Sequence, residues 1–140
     1  MSRLRAAPPR LRAAETQRVA EPKRSSARGR GYTAKWDKAS KAFLRANPYC
    51  RGCLALGRAE PARLTDHVIP HRGDTHLFWQ RELWQPSCRW HHDVVKERLE
   101  HLFDAGQVTA EDLWLDSEVA KDLARRLLSD ATAWGGGVKT

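Results

Sequence analysis

The spacing of apolar residues predicts most of the ordered elements of this 140-residue chain. Trp36, Ala39 and Phe43 recur every three to four positions, as the buried face of a helix requires. The same period predicts four helical segments, over residues 33–46, 90–103, 109–114 and 116–129. Two shorter β-like runs predict strands at residues 66–69 and 83–85. We therefore expect an α+β fold.

Three cysteines and a histidine form two half-sites of matched spacing, Cys50-x-x-Cys53 and Cys88-x-x-His91. Two thiolates two residues apart on a turn can reach one tetrahedral ion, and histidine is an accepted fourth ligand. An odd number of cysteines cannot pair completely as disulfides, and closely spaced cysteines in a reducing compartment more often bind a metal. The pattern predicts a structural Zn²⁺ site. The alternative is that Cys88 is a buried thiol and His91 a surface residue.

Asp66 and His67 lie between the half-sites, and His92 directly follows the second one. Adjacent strand residues point to opposite faces, so Asp66 and His67 can serve one site only at a strand end, which Pro70 favours. His92 is expected to point about 100° away from His91 around the helix, toward a second metal. For any one of these residues taken alone, a structural role is the alternative.

These three side chains suit phosphodiester hydrolysis. A carboxylate from Asp66 and an imidazole from His92 can hold Mg²⁺ or Mn²⁺, which polarises a phosphate and stabilises the leaving oxygen. His67, neutral near pH 7, can accept a proton from the attacking water. His71 and Lys96 are secondary candidates that could border the site or meet a phosphate, although each could equally be a solvated surface residue.

Positive charge is concentrated at the N-terminus. The chain carries a formal net charge of +8, and residues 1–35 hold ten basic side chains against two acidic ones, so the remainder is balanced. Such an arm cannot bury enough apolar surface to order itself, and it suits salt-sensitive binding to nucleic acid. The alternative is a solubilising tail or a targeting segment. The candidate DNA contacts are Arg24, Arg28, Arg30, Lys35 and, further along the chain, Arg72.

No apolar run approaches the roughly 20 residues that a membrane span requires. The basic N-terminus is followed by no continuous apolar stretch of the kind that a signal peptide contains. We therefore expect an intracellular, cytoplasmic protein that does not interact with a membrane.

Several segments together resemble the HNH endonucleases, particularly the small zinc-containing branch of phages and prophages. They are residues 66–74, 77–79, 84–88 and 91–92, and the resemblance covers roughly residues 48–97. It implies a ββα-metal (His-Me finger) core, with His67 as general base and Asp66 and His92 as ligands of the catalytic ion. It also implies that DNA is nicked or cut with little sequence readout, and it adds phage terminase or packaging proteins as candidate partners.

The chain departs from the family pattern at two positions. His91 stands where the family usually has a fourth cysteine, and Leu83 stands where the motif has its central asparagine. That asparagine steadies the loop of the base histidine through hydrogen bonds that leucine cannot make, although Glu82 or Gln85 could substitute. The alternative function is therefore a zinc-stabilised DNA-binding module with weak or no catalysis.

These expectations divide the chain into three parts. Residues 1–31 form a disordered basic arm, residues 32–104 form the HNH nuclease domain with its zinc site, and residues 105–140 form a C-terminal helical extension. Helices thus flank the small core at both ends.

Overall fold

A computed structural model describes residues 33–133 of the chain, with side chains described as far as residue 131. The predicted basic arm, with Arg24, Arg28 and Arg30, lies outside the described residues. Residues 33–37 are the only described part of a first unit that ends at Asp37. The described residues from Lys38 onward belong to the second unit.

The four predicted helical segments are confirmed, with shifted boundaries. In chain order the elements are α1 (Ala34–Ala46), α2 (Arg51–Ala55), β1 (Leu64–His67), α3 (Thr75–Phe78), a 3₁₀ turn (Arg81–Leu83), β2 (Trp84–Ser87), a π-helical stretch (His91–Lys96) that continues as α4 (Glu97–Asp104), a second 3₁₀ turn (Ala110–Leu113) and α5 (Glu118–Ala133). The described chain therefore has an α+β fold with a small two-stranded sheet.

The sheet places the ends of its two strands side by side. β1 and β2 pair antiparallel, with Asp66 opposite Gln85 and His67 opposite Trp84. β1 starts two residues earlier than predicted and ends at His67, because the chain bends there toward the loop that contains Pro70. His67 is therefore at a strand end, as a shared site with Asp66 requires.

One apolar core joins β1, the long helix and the C-terminal segment. Its buried members are Val68, Val95, Leu99, Leu113, Leu115, Ala120 and Ala124. Fully burying a leucine side chain contributes roughly 1.5–3 kcal/mol, so the C-terminal segment stabilises the same core as the helix. The 3₁₀ turn of this segment begins with a capping box, in which the Thr109 N–H donates to Asp112 Oδ2 at 2.9 Å.

α1 attaches to the sheet through few contacts. The Phe43 ring packs edge-on against Trp84, with centroids 5.6 Å apart, and the hydroxyls of Ser40 and Thr65 share a hydrogen bond of 2.8 Å. The remaining face of α1 is exposed. Neither α1 nor any other helix described between residues 33 and 133 combines the length and apolar character that a membrane span needs.

Candidate metal centre and histidine site

Four buried side chains from the two predicted half-sites converge on one point. Cys50 and Cys53 come from the start of α2, and Cys88 and His91 come from the end of β2 and the start of the long helix. Their ligand atoms all lie within 4.8 Å of one another. The prediction that the two half-sites meet is confirmed. The alternative that placed His91 at the surface is wrong, since His91 is 1% exposed, and Cys88 is buried as part of the cluster.

The distances within this cluster fit a tetrahedral zinc ion. Zinc at about 2.3 Å from sulfur and about 2.1 Å from nitrogen implies sulfur–sulfur edges of about 3.8 Å and sulfur–nitrogen edges of about 3.6 Å. Cys53 Sγ lies 3.8 Å from Cys88 Sγ. His91 Nδ1 lies 3.6, 3.4 and 3.6 Å from the sulfur atoms of Cys50, Cys53 and Cys88. The cluster can therefore hold a zinc ion.

The three buried thiols lie too close together to be ionised at the same time unless a cation lies among them. Burial is the main cause that raises the pKa of Cys53 to about 11, and a hydrogen bond with Cys50 is the main cause that raises the pKa of Cys88 to about 11. The pKa of Cys50 is lowered, chiefly by its hydrogen bond with Cys88. Three adjacent thiolates require a positive charge between them, which a bound metal supplies.

Gly52 makes room for the imidazole of His91. A Cβ atom at position 52 would lie 2.3 Å from His91 Cδ2 and 2.4 Å from Nε2. The ring is 1% exposed, and Nε2 is buried without a hydrogen-bond partner, while Nδ1 faces the three sulfur atoms. Aiming Nδ1 at the cluster thus leaves the other ring nitrogen unsatisfied, a cost that a metal bond at Nδ1 would offset.

Asp66 is a buried carboxylate whose two oxygen atoms have different partners. Oδ2 accepts a hydrogen bond from Gln85 Nε2 at 2.8 Å and forms an ion pair with Lys96 Nζ at 3.0 Å. Oδ1 faces His92 Nε2 at 3.8 Å. Asp66 Oδ1 is therefore the carboxylate oxygen turned toward His92.

His92 is oriented as a ligand by its neighbour. Its Nδ1–H donates to Asp93 Oδ1 at 2.8 Å, and this hydrogen bond lowers the pKa of Asp93. A proton held at Nδ1 leaves Nε2 with its lone pair directed toward Asp66, as a metal-binding imidazole requires. His91 therefore faces the three cysteines, whereas His92 faces Asp66.

His67 follows Asp66 at the end of β1, with its ring among aromatic groups. Its Nε2–H donates to the Phe78 carbonyl at 3.1 Å, and the ring packs on Phe78 and His71 with centroids 4.4 and 4.9 Å away. Burial is the main cause that lowers the pKa of His67 to about 4, followed by the charge of His71. The imidazole is consequently neutral at pH 7, with Nδ1 as its unprotonated nitrogen.

Lys96 lies inside the protein, and the expectation of a residue reaching outward to a phosphate is wrong. It is 1% exposed, and its Nζ donates to the His67 carbonyl and to Glu100, both at 2.8 Å. The same ammonium forms an ion pair with Asp66 at 3.0 Å. Lys96 therefore ties the backbone of β1 to the long helix.

Backbone carbonyl groups hold the chain around His67. The Leu83 carbonyl accepts from the Val68 N–H at 2.8 Å, which holds the chain just after His67. The Phe78 carbonyl accepts from both His67 and the Trp84 indole, at 3.1 and 3.0 Å. The histidine loop is thus held without a polar side chain at position 83.

The remaining candidates have structural contacts. Arg72 pairs with Asp104 at 2.6 Å, His71 Nδ1 accepts from the Gly73 N–H at 3.1 Å, and Lys35 is exposed in the first turn of α1.

The groove beside His92 is acidic, since Asp93, Glu97, Glu100 and Asp104 line it. Lys96 and His101 line the same groove, and Lys96 and Arg72 pair with Glu100 and Asp104, so part of this negative charge is compensated.

Two residues of this network were not identified as candidate site residues from sequence. Glu100 has a local signal, because its i,i+4 spacing from Lys96 favours an ion pair on one helix face. Gln85 has no local sequence signal of this kind apart from its position near the motif. Its partners at positions 113 and 115 are 28 and 30 residues away along the chain.

We predict that Gly52→Ala destabilises the protein. The added methyl group must displace the His91 ring, at a cost of about 1–3 kcal/mol for overpacking, measured as a lower unfolding free energy in urea. Leu54→Ala, at an exposed position of the same helix, is the control and should change little. Alanine is otherwise favoured over glycine in a helix by about 1 kcal/mol, so a more stable Gly52→Ala variant would contradict the packing.

We predict that Lys96→Met lowers the unfolding free energy by about 3–5 kcal/mol, because it leaves the buried Asp66 carboxylate without its cation. Urea denaturation provides the measurement. Lys121→Met is the matched control, since Lys121 pairs with the exposed Glu118 at 2.9 Å on α5 and should contribute little. Equal losses for the two variants would show that the Lys96 ion pair is not buried in solution.

Comparison with protein-family models, with curated proteins and with solved structures found no match to this chain. The described residues contain a cluster able to hold zinc and an aspartate, Asp66, that faces His92 and precedes His67 in the chain.

Proposed function

We propose that this protein is a divalent-metal-dependent DNA endonuclease that hydrolyses phosphodiester bonds. One observation carries the proposal: Asp66 Oδ1 and His92 Nε2 face each other at 3.8 Å, at the end of the strand that also bears His67. A carboxylate and an imidazole that share an ion, with a neutral imidazole next to them, suit hydrolysis of a phosphate ester.

Asp66 and His92 hold the divalent ion, Mg²⁺ or Mn²⁺. Asp93 retains the His92 proton on Nδ1, at 2.8 Å, so that Nε2 is available as a ligand. When bound, the ion supplies positive charge that polarises the phosphodiester and stabilises the leaving oxygen. It also offsets the repulsion between DNA and the acidic groove beside His92.

His67 is the general base. Its Nε2–H is engaged by the Phe78 carbonyl, so the proton of the attacking water is accepted at Nδ1. The low pKa of His67, about 4, keeps the imidazole unprotonated at neutral pH. That same low pKa makes it a weak base, so its contribution depends on the position of the water as well as on proton affinity.

The order of elements supports a ββα-metal core. β1, β2 and the long helix follow one another in the chain, and they carry Asp66 and His67, then Gln85, then His92. This order agrees with the resemblance of residues 48–97 to HNH endonucleases. DNA is the proposed substrate, and the chain's net charge of +8 favours binding to it.

Zinc in the Cys₃His cluster is the proposed structural cofactor. Cys50, Cys53, Cys88 and His91 are buried, and the four positions leave no open ligand site, as is typical of structural zinc. The bound ion would cross-link α2 to the start of the long helix. That link holds His92, the next residue, in register with Asp66.

A second candidate is a zinc-stabilised DNA-binding module without catalysis. The observation that favours it is the ammonium of Lys96, which already occupies Asp66 Oδ2 at 3.0 Å and so leaves a single carboxylate oxygen for an ion. A protein whose ion site is weak in this way would still bind DNA through its basic residues, but it would cleave the DNA slowly or not at all.

We predict that the full chain nicks supercoiled plasmid DNA in Mg²⁺ or Mn²⁺. His67→Ala and His92→Ala should each reduce the rate at least about 100-fold, because general-base catalysis contributes roughly 10²–10⁴-fold. His76→Ala, an exposed histidine on α3, is the control and should cut like wild type.

Three outcomes distinguish the candidates. Cutting that survives His67→Ala would refute the assigned base. DNA binding without any cutting, measured in both metals, would favour the binding module. A wild-type protein that neither binds nor cuts DNA would exclude both functions.

We predict one tightly bound zinc ion per chain. Its removal by a chelator should unfold the region around the cluster, because binding free energy at such sites is also folding free energy. Metal analysis and the loss of helical circular dichroism provide the measurements, with Cys88→Ser as a variant that should bind zinc poorly. Folded wild-type protein that contains no zinc would contradict the prediction.

A further inference from the structure

Gln85 is a fully buried amide that connects the candidate ion site to the C-terminal segment. Its Nε2 donates to Asp66 Oδ2 at 2.8 Å and to the Leu113 carbonyl at 3.3 Å. Its Oε1 accepts from the Leu115 N–H at 2.9 Å. The side chain has 0% exposure, so no water competes for these bonds.

The three partners allow the Gln85 amide only one orientation. Both protons of Nε2 face oxygen acceptors, and Oε1 faces a backbone donor. Exchanging the two ends would set Oε1 against the Asp66 carboxylate and the NH₂ group against the Leu115 N–H. Both contacts would be repulsive in a buried site, so the amide is locked.

The locked amide in turn determines which oxygen of Asp66 is available. Gln85 and Lys96 together occupy Oδ2, at 2.8 and 3.0 Å, and Oδ1 is the oxygen directed at His92. Without Gln85, the carboxylate could rotate about its terminal bond, because Lys96 alone can follow either oxygen. A rotating carboxylate would spend less time in the orientation that an ion needs.

We propose that Gln85 is a positioning residue for the divalent ion, and that residues 113–115 are part of this ion site although they lie outside the strands and helix that carry its ligands. The inference rests on the proposed function, since it concerns the ion held by Asp66 and His92. It assigns the C-terminal segment a role in metal affinity in addition to its role in the apolar core.

The experiment measures Mn²⁺ affinity directly, by electron paramagnetic resonance of the free ion, with the full zinc-containing chain. Gln85→Met keeps the volume but removes both the donor and the acceptor. It should weaken Mn²⁺ binding by roughly 10- to 100-fold, the usual effect of removing a group that orients a metal ligand. Gln85→Asn retains an amide too short to reach both Asp66 and Leu115, and it should weaken binding by a smaller factor.

Leu99→Ala separates positioning from stability. It removes a fully buried side chain from the same apolar core but leaves Gln85 and its three partners in place. The variant should unfold at a lower temperature yet bind Mn²⁺ within about threefold of wild type, since the orienting contacts remain. Zinc content, measured for every variant, identifies any that fail to fold, and Gln85→Asn carries the test if Gln85→Met is one of them.

The outcomes separate this inference from the proposed function. Wild-type binding of Mn²⁺ that weakens in both Gln85 variants but not in Leu99→Ala supports the inference. Unchanged binding in the Gln85 variants overturns it and leaves the proposed function standing, as does equal weakening in Leu99→Ala. Wild-type protein that binds no Mn²⁺ overturns the ion site itself, and the role of Gln85 with it.

Discussion

The convergence of three sulfur atoms and one imidazole nitrogen is the constraint on which the rest of the structure depends. The four ligand atoms lie within 4.8 Å of one another and join α2 to the start of the long helix. His91 points inward to this cluster, so its neighbour His92 is carried toward Asp66 on the other side. The position of the candidate catalytic site is therefore a consequence of the zinc-binding geometry.

A second constraint is the compensation of charge beneath the site. Asp66 is buried, and Lys96 neutralises it while also reaching Glu100 and the backbone of His67. Buried ion pairs contribute little net stability compared with apolar residues of equal size, so their value is specificity of arrangement. In this protein, the specific feature is that a single oxygen atom of the Asp66 carboxylate is directed at His92.

Local patterns predicted the elements well and their boundaries less well. Apolar spacing identified the four helical segments, and the two half-sites identified the metal ligands without any structural information. The strands moved by one to two residues from their predicted positions, because their limits depend on pairing between β1 and β2. Lys96 was misjudged for a similar reason, since its burial depends on carboxylates that fold over it.

By itself the sequence determined the fold class, the Cys₃His donor set and the identity of Asp66, His67 and His92 as candidates, because these follow from residue type and local spacing. Only the tertiary structure decided which atoms face one another. The pairing of Gln85 with Asp66 and with the backbone near Leu115 spans up to 30 residues of chain. Such contacts produce no repeating pattern in the sequence, because they arise when separate elements pack around a common core.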